Sequence, residues 1–182
     1  MRAIVIALLL GQGLASYDYV ARPSLNELNN FIALNETIWL HSRSYTRSIN
    51  KTDPSCVFMQ SLRNLNGSNV TALRVGYRLG YYNWHNATRN VESSRKGGRD
   101  DAPEMQITNL TGGSSRTYKF QYWDEKQKCA VITFSDVLCQ TKCELYAWGD
   151  VYYGTFTTCE KEFKNICHAY PKHKIYNWYC DH

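Results

Sequence analysis

The sequence lacks the features that define several large functional classes. It contains no G-x-S-x-G, H-E-x-x-H, phosphate-binding-loop or G-x-G-x-x-G motif, so nothing in it supports a serine hydrolase, a zinc peptidase or a nucleotide-binding enzyme. Beyond residue 15 it has no hydrophobic run long enough for a membrane span. A formal net charge of +5 is too small to demand nucleic acid or a membrane surface as a partner.

The histidines give no sign of a catalytic or metal site, because all five lie in unrelated segments. His168 and His173 lie five residues apart across Pro171, which is a poor match to the spacing of metal ligands on a helix. We therefore predict a binding protein that is not an enzyme and that holds no metal or cofactor.

The first residues show the pattern of a signal peptide. Arg2 precedes the apolar run Ala3–Leu10, and small residues follow up to Ala15, where we expect cleavage. The segment Gly11–Gly13 interrupts the apolar run well before the roughly 20 residues that a spanning helix needs. We predict that residues 1–15 are a signal peptide and that residues 16–182 form one secreted, extracellular domain.

Cysteines and glycosylation sequons are abundant, as in exported proteins. The seven cysteines can form three pairs and leave one over, and spacing alone does not reveal the connectivity. We expect N-glycosylation, and therefore surface exposure, at the six N-x-[ST] sequons, which begin at Asn35, Asn50, Asn66, Asn69, Asn86 and Asn109.

Periodicity predicts a helix, a series of strands and a second helix. Ser24 and Glu27 form a capping box ahead of an apolar stripe that includes Leu28 and Phe31. The stretch Arg89–Pro103 is either a long loop or contains a weak eighth strand near residues 90–92. Alternation and turn chemistry predict strands at Thr37–Tyr45, Cys56–Asn64, Val70–Tyr82, Glu104–Leu110, Arg116–Trp123, Cys129–Ser135 and Cys143–Gly149.

The C-terminal part returns to a helical pattern. Thr157 is the predicted N-cap, with Glu160 three residues later. Pro171 should end the helix, and Cys180 should tie down an extended aromatic tail. Its apolar face consists of Cys159, Phe163, Ile166, Cys167 and Tyr170.

Consecutive antiparallel strands with helices only at the two ends favour an up-and-down barrel, because closure removes the exposed sheet edges. About eight strands leave room for one small ligand. A two-sheet sandwich with a filled core is the alternative, since short strands at regular spacing also fit it.

The sequence resembles the tick salivary lipocalins of the histamine-binding protein family over essentially the whole mature chain. The resemblance implies a mainly β, eight-stranded antiparallel lipocalin barrel, with a short N-terminal helix and a C-terminal helix packed outside. It rests on the leader helix and on the segments Glu36–Leu40, Cys56–Val57, Cys129–Ile132, Cys143–Tyr146 and Cys159–Phe163, with Cys180 near the end.

The resemblance also implies three disulfides, Cys56–Cys180, Cys129–Cys159 and Cys143–Cys167. Cys139 is then the odd cysteine. It is either an alternative partner of Cys167 or an unpaired thiol that links two copies, and without such a link we expect a monomer.

By the same resemblance, aromatic faces and one carboxylate look into the barrel. Ring faces and a buried carboxylate suit a cationic amine, so histamine or serotonin is the first expectation for the ligand. Tyr122 is expected on an inward face as well. The expected ligand-binding residues are Trp39, Tyr45, Tyr118, Phe120, Glu144, Tyr146 and Trp148.

The family pattern is incomplete in this chain. Phe120 and Ala130 stand where histamine binders of the family carry aspartates, and no acid closely follows Tyr45. A site with fewer acidic residues suits a neutral or anionic ligand better than a cation. An eicosanoid, a fatty acid or a sterol is therefore the alternative ligand. A third possibility is a protein-binding immunomodulator that uses the barrel as a scaffold and binds through the loop Arg89–Asp101.

Overall fold

A computed structural model of the protein describes residues 22–64, 70–98, 101–110, 114–168 and 172–181. The predicted signal peptide and the sequons at Asn66 and Asn69 lie outside these residues. The elements follow the order α1 (Leu25–Ile32), β1 (Ile38–Arg43), β2 (Ser55–Asn64), β3 (Val70–Leu79), β4 (Asn83–Ser94), β5 (Glu104–Asn109), β6 (Ser115–Asp124), β7 (Cys129–Ser135), β8 (Thr141–Trp148), α2 (Thr157–Cys167) and β9 (His173–Lys174).

Strands β1 to β8 form a closed antiparallel barrel. Each strand pairs with the next along the chain, and β1 pairs with β8 as well as with β2, so the sheet joins its own beginning. The contact between β1 and β2 is short, with Ile38 opposite Met59 and Trp39 opposite Phe58. The up-and-down barrel is confirmed, and the alternative of a two-sheet sandwich is wrong.

Strand β4 is longer than the sequence indicated. The stretch Arg89–Pro103 was expected to be a loop with at most a weak strand at residues 90–92, but β4 runs from Asn83 to Ser94. It pairs with β3 along its length, from Val70 opposite Glu92 to Leu79 opposite Asn83. Polar residues occupy both faces of β4, so its local alternation is weak and the ladders to β3 and β5 determine its structure.

Helix α1 seals one end of the barrel. The Glu27 amide donates to the Ser24 hydroxyl at 3.2 Å, and the Glu27 carboxylate accepts from the Ser24 amide at 2.6 Å, which confirms the capping box. Leu28 and Phe31 are fully buried inside the barrel. The amphipathic stripe predicted for this helix therefore serves as a plug.

Helix α2 packs outside the barrel, and its apolar face is confirmed at Cys159, Phe163 and Cys167, all buried. The predicted face residue Tyr170 and the predicted end at Pro171 lie outside the described residues. The predicted N-cap is wrong. Phe156 takes that position without a side-chain cap, and Thr157 is already helical. The Gln127 side chain accepts from the Thr158 amide at 3.1 Å, so the turn between β6 and β7 supplies the cap.

The three disulfides that the resemblance implies are present. Cys129–Cys159 and Cys143–Cys167 tie α2 to β7 and β8, and Cys56–Cys180 ties the C-terminal tail to β2. Cys139 is unpaired and exposed in the turn between β7 and β8. The alternative pairing of Cys139 with Cys167 is therefore wrong.

Candidate ligand-binding site

The barrel interior has two parts that differ in polarity. Near α1 it is filled with apolar side chains, and we call this region the closed end. Phe31 packs against Phe120 at a centroid distance of 5.1 Å and against Trp148 at 5.9 Å. Two of the expected ligand-binding residues, Phe120 and Trp148, thus belong to the packed core.

Beyond this core lies a cavity of about 420 Å³, a size that suits a small organic ligand. We call this region the open end. It contains four of the expected ligand-binding residues, Tyr45, Tyr118, Glu144 and Tyr146, which come from three different parts of the barrel wall. Inward orientation of alternate residues on β6 and β8 brings them together.

Trp39 does not line this cavity, which corrects its expected inward orientation. It packs in the outer cluster of apolar residues, 5.5 Å from both Phe58 and Tyr176 between ring centroids. The pairing of β1 with β8 shifts register between Leu40 and Ser42, so this bulge reverses the alternation. Trp39 and Tyr45 share a parity by simple counting, yet only Tyr45 lines the open end.

A second register shift has the same effect on β6. The pairing of β6 with β7 is irregular between Phe120 and Tyr122. Tyr122 therefore packs against the outer cluster, whereas Trp123 packs inside, stacked on Trp148 at 4.8 Å. The expected inward orientation of Tyr122 is wrong for this reason.

Among the described residues, Glu144 is the only carboxylate that lines the cavity, and it is 4% exposed. The hydroxyl of Tyr146 donates to its Oε2 at 2.9 Å, and the hydroxyl of Tyr45 donates to its Oε1. Burial raises the pKa of Glu144, while the two tyrosine hydrogen bonds and the charges of Arg116 and Arg43 act in the opposite direction.

The tyrosines around Glu144 are neutral, and two of them, Tyr45 and Tyr146, donate to its carboxylate. Burial and the neighbouring carboxylate raise the pKa of Tyr118 to about 12 and raise the pKa values of Tyr45 and Tyr146 further. Ser44 holds Tyr45 in place, since its amide donates to the Cys143 carbonyl at 2.9 Å and its hydroxyl accepts from the Cys143 amide at 2.9 Å.

Arg43 brings a buried positive charge to the open end. Arg43 is 2% exposed, and its Nε has no hydrogen-bond partner within the part of the chain that the structure describes. One Nη donates to the Arg47 carbonyl at 3.4 Å, and the guanidinium lies 5.1 Å from the centroid of the Tyr45 ring. A buried, incompletely paired guanidinium is costly unless a ligand satisfies it.

Sequence reasoning missed several other residues of this site. Phe134 lies between Tyr45 and Tyr118, with distances between ring centroids of 5.5 and 5.3 Å. Alternation along β7 puts it on the same face as Ala130, and this pattern could have indicated its position. Tyr77 and His85 stack at 5.1 Å where β3 and β4 line the cavity. Arg89 also lines it, and no signal was available because β4 was not recognised there.

Within the described part of the chain, no group of three or more histidine, cysteine or acidic residues is arranged to hold a metal ion. None of the helices in that part combines the length and the apolar character needed to cross a bilayer. The chemistry available at the open end is hydrogen bonding, charge and ring contact.

Comparison with known proteins places the chain among ligand-binding barrels. The family model described as tick histamine binding protein matches residues 21–182. No curated protein sequence matches the chain significantly.

Three solved structures share the fold at low sequence identity. AM182 in complex with serotonin is 15% identical, with 83% of this chain and 91% of that chain covered and a TM-score of 0.59. Japanin from Rhipicephalus appendiculatus, bound to cholesterol, is 12% identical, with 79% and 95% covered and a TM-score of 0.56. H1 crustacyanin from the lobster Homarus americanus is 10% identical, with 87% and 88% covered and a TM-score of 0.53.

Proposed function

Because the chain belongs to the tick histamine-binding protein family, we propose that it is a secreted lipocalin that captures a small host inflammatory mediator. Binding lowers the free concentration of the mediator by mass action and so helps a tick to evade host defence. The role requires no catalysis. It does require export, for which we propose that residues 1–15 act as the signal peptide and are removed.

We place the ligand in the open-end cavity. A cavity of about 420 Å³ that combines apolar walls with a few polar groups is typical of a small-molecule site. Tyr45, Tyr118 and Tyr146 offer ring faces and hydroxyl groups, while Phe120 and Trp148 form the packed floor instead of contacting the ligand.

The charges that line the cavity favour an amphipathic anion, such as a fatty acid or an eicosanoid. In the described lining of the cavity, three arginines, Arg43, Arg47 and Arg89, face one carboxylate, Glu144. The observation that most supports an anion is that Arg43 is buried and its Nε has no acceptor among the residues described by the structure. A ligand carboxylate would supply that acceptor. The apolar part of the ligand would then lie along the aromatic walls.

A biogenic amine is the second candidate, and Glu144 is the observation that favours it. A buried carboxylate among aromatic rings can hold an ammonium group, and the structural neighbour AM182 was solved with serotonin. Against it, both oxygens of Glu144 already accept tyrosine hydrogen bonds, and burial raises the pKa of this carboxyl.

The scaffold hypothesis, in which a host protein binds through the loop Arg89–Asp101, has less support. Residues 89–94 belong to β4, and Arg95 donates to the Asp101 carbonyl at 2.7 Å. Much of the predicted loop is therefore structured within the protein.

Calorimetry against arachidonic acid, leukotrienes, histamine, serotonin and cholesterol tests the proposal. We expect an acidic lipid to bind, and Arg43→Met to weaken it at least about tenfold, as for the loss of a buried charge partner. Arg74→Met, on the outer wall, is the matched control and should leave the affinity unchanged. If an amine binds instead, Glu144→Gln should be the damaging variant by about the same factor.

The pH dependence separates the two ligand classes. An anion near Glu144 binds best while that carboxyl is protonated, so its affinity should fall as the pH rises through the raised pKa of Glu144. An amine needs the ionised carboxylate, so its affinity should rise over the same interval. A third outcome is that cholesterol binds, with an affinity independent of pH and unchanged by Arg43→Met and Glu144→Gln. That result would overturn the anion and the amine assignments in favour of a neutral sterol.

A further inference from the structure

The outer wall of the barrel carries a second, aromatic groove, which shares Phe58 and Asn86 with the lining of the open-end cavity. Trp39 and Phe58 form its base, Arg74 and Trp84 its side, and Cys180 its edge, around a volume of about 410 Å³. We call it the outer groove. It exists because these side chains occupy outward positions on β1 to β4, where the C-terminal tail crosses the barrel.

Of the three rings of the outer groove, Trp39 and Phe58 are buried and Trp84 is open to solvent. Phe58 packs between Trp39 at 5.5 Å and Trp84 at 6.0 Å, and the Arg74 guanidinium lies 5.7 Å from the Phe58 centroid. Trp84 nevertheless remains 39% exposed. A clustered aromatic surface of this kind is informative, because it commonly marks a place where something else packs.

Asn86 identifies the occupant. It begins the sequon Asn86-Ala87-Thr88, it is exposed, and its side chain lies in the same groove as Trp84, two residues earlier on β4. Gly76 on β3 makes room for it. A Cβ at Gly76 would lie 2.3 Å from the Asn86 Oδ1 and 2.6 Å from the Phe58 Cε1, so the amide and the ring edge are close neighbours.

We propose that Asn86 carries an N-linked glycan whose first sugars pack on the exposed ring of Trp84. The C–H groups of a pyranose carry partial positive charge and suit the negative face of an aromatic ring. The covalent link holds the sugar next to this ring, so packing has little translational entropy to overcome. The inference rests on the export that the proposed function requires, and its tests need no ligand.

Glycopeptide mass spectrometry of protein secreted from a eukaryotic cell gives the first test. We expect occupancy at Asn86, with the exposed sequon at Asn35 as the internal comparison. Thr88→Ser should retain the glycan because it preserves the sequon, and Thr88→Val should remove it while keeping Asn86 and the shape of the side chain.

Melting temperatures then test the packing. We expect Thr88→Val to lower Tm by about 2–4 °C, the scale of one ordinary stabilising contact in a domain of this size. Trp84→Ala should lower Tm more in the glycosylated protein than in the Thr88→Val background. Only the glycosylated protein has a contact between a sugar and the Trp84 ring that the substitution can remove. Asn35→Gln is the matched control and should leave the effect of Trp84→Ala unchanged. Trimming to a single sugar should preserve most of the stabilisation.

Two results would overturn the inference and leave the proposed export of the protein uncontradicted. One is an unmodified Asn86 in secreted protein whose Asn35 is glycosylated. The other is an effect of Trp84→Ala that is equal with and without the Asn86 glycan. A chain that stays inside the cell with no sequon modified would instead contradict the export on which both proposals depend.

Discussion

The closed and open ends of the barrel interior are built from the same strands but have opposite character. On β6, Phe120 packs in the apolar core, and Tyr118, two residues earlier, faces the cavity. On β8, Trp148 and Tyr146 show the same division. The interior of the barrel therefore changes from apolar to polar along the barrel axis. The change occurs between one inward-facing residue and the next, two positions apart on the same strand.

This comparison shows how a lipocalin combines stability with an open site. Helix α1 brings Leu28 and Phe31 to one end, where close packing supplies stability. The other end keeps buried polar groups such as Glu144 and Arg43, which add little to stability and suit binding. Substitutions at the two ends should consequently have different effects.

The largest effect is expected at the closed end. Phe31→Ala should destabilise the protein by about 3–5 kcal/mol, because it leaves a cavity among Phe120, Trp123 and Trp148. Urea denaturation followed by circular dichroism measures the change. Ligand affinity, measured well below the unfolding transition, should change little.

Leu138→Ala is the surface control for this substitution. Leu138 is 73% exposed, so its truncation should alter stability by no more than about 0.5 kcal/mol. Equal losses for the two variants would show that α1 does not carry the stability of the closed end.

Local patterns predicted the closed end better than the open end. The capping box at Ser24 and the stripe through Phe31 are encoded within one helix, and the structure confirms both. At the open end, period two placed Glu144 and Tyr146 on one face of β8, but only the resemblance implied that this face looks inward. These predictions depended only on residues that are near one another in the chain.

The features that the sequence did not reveal depend on contacts distant in the chain. A bulge in β1, visible only in its pairing with β8, places Trp39 outside and Arg43 inside. Strand β4 is defined by its neighbours, so the inward position of Arg89 could not be seen. The N-terminal cap of α2 comes from the side chain of Gln127, which accepts from the amide of Thr158. These two residues are thirty-one positions apart in the chain.

A smaller effect is expected at the open end for Tyr45→Phe. The variant removes one donor to the buried Glu144 carboxylate, which should cost about 1 kcal/mol. It should also raise the pKa of Glu144 further, since the Tyr45 hydrogen bond lowers it. Urea denaturation measures the first change, and carboxyl NMR titration the second.

Tyr153→Phe is the matched control for Tyr45→Phe. Tyr153 is 79% exposed, so loss of its hydroxyl should be silent in both measurements. An unchanged pKa of Glu144 in Tyr45→Phe would contradict the hydrogen bond between these two residues.

At any single pH, the smallest change in the free energy of unfolding is expected for Glu144→Gln. This variant is informative because its effect should depend on pH. The folded-state pKa of Glu144 is raised above its ordinary value of 4.5. The stabilisation linked to its protonated form is thus complete below pH 4.5 and is lost as the pH rises through the raised pKa. Glutamine cannot ionise, so the variant should gain stability relative to the parent over that interval.

His41 titrates in an overlapping interval with the opposite sign. Burial, followed by the charges of Lys172 and Lys174, lowers its pKa from 6.5 to about 4, so stability is lost as the pH falls from 6.5 towards 4. Subtracting the unfolding profile of the parent from that of Glu144→Gln removes this shared contribution. A difference that stays constant from pH 4 to 8 would mean that Glu144 has the same proton affinity folded and unfolded, and the open end would then lack the buried carboxyl that distinguishes it from the closed end.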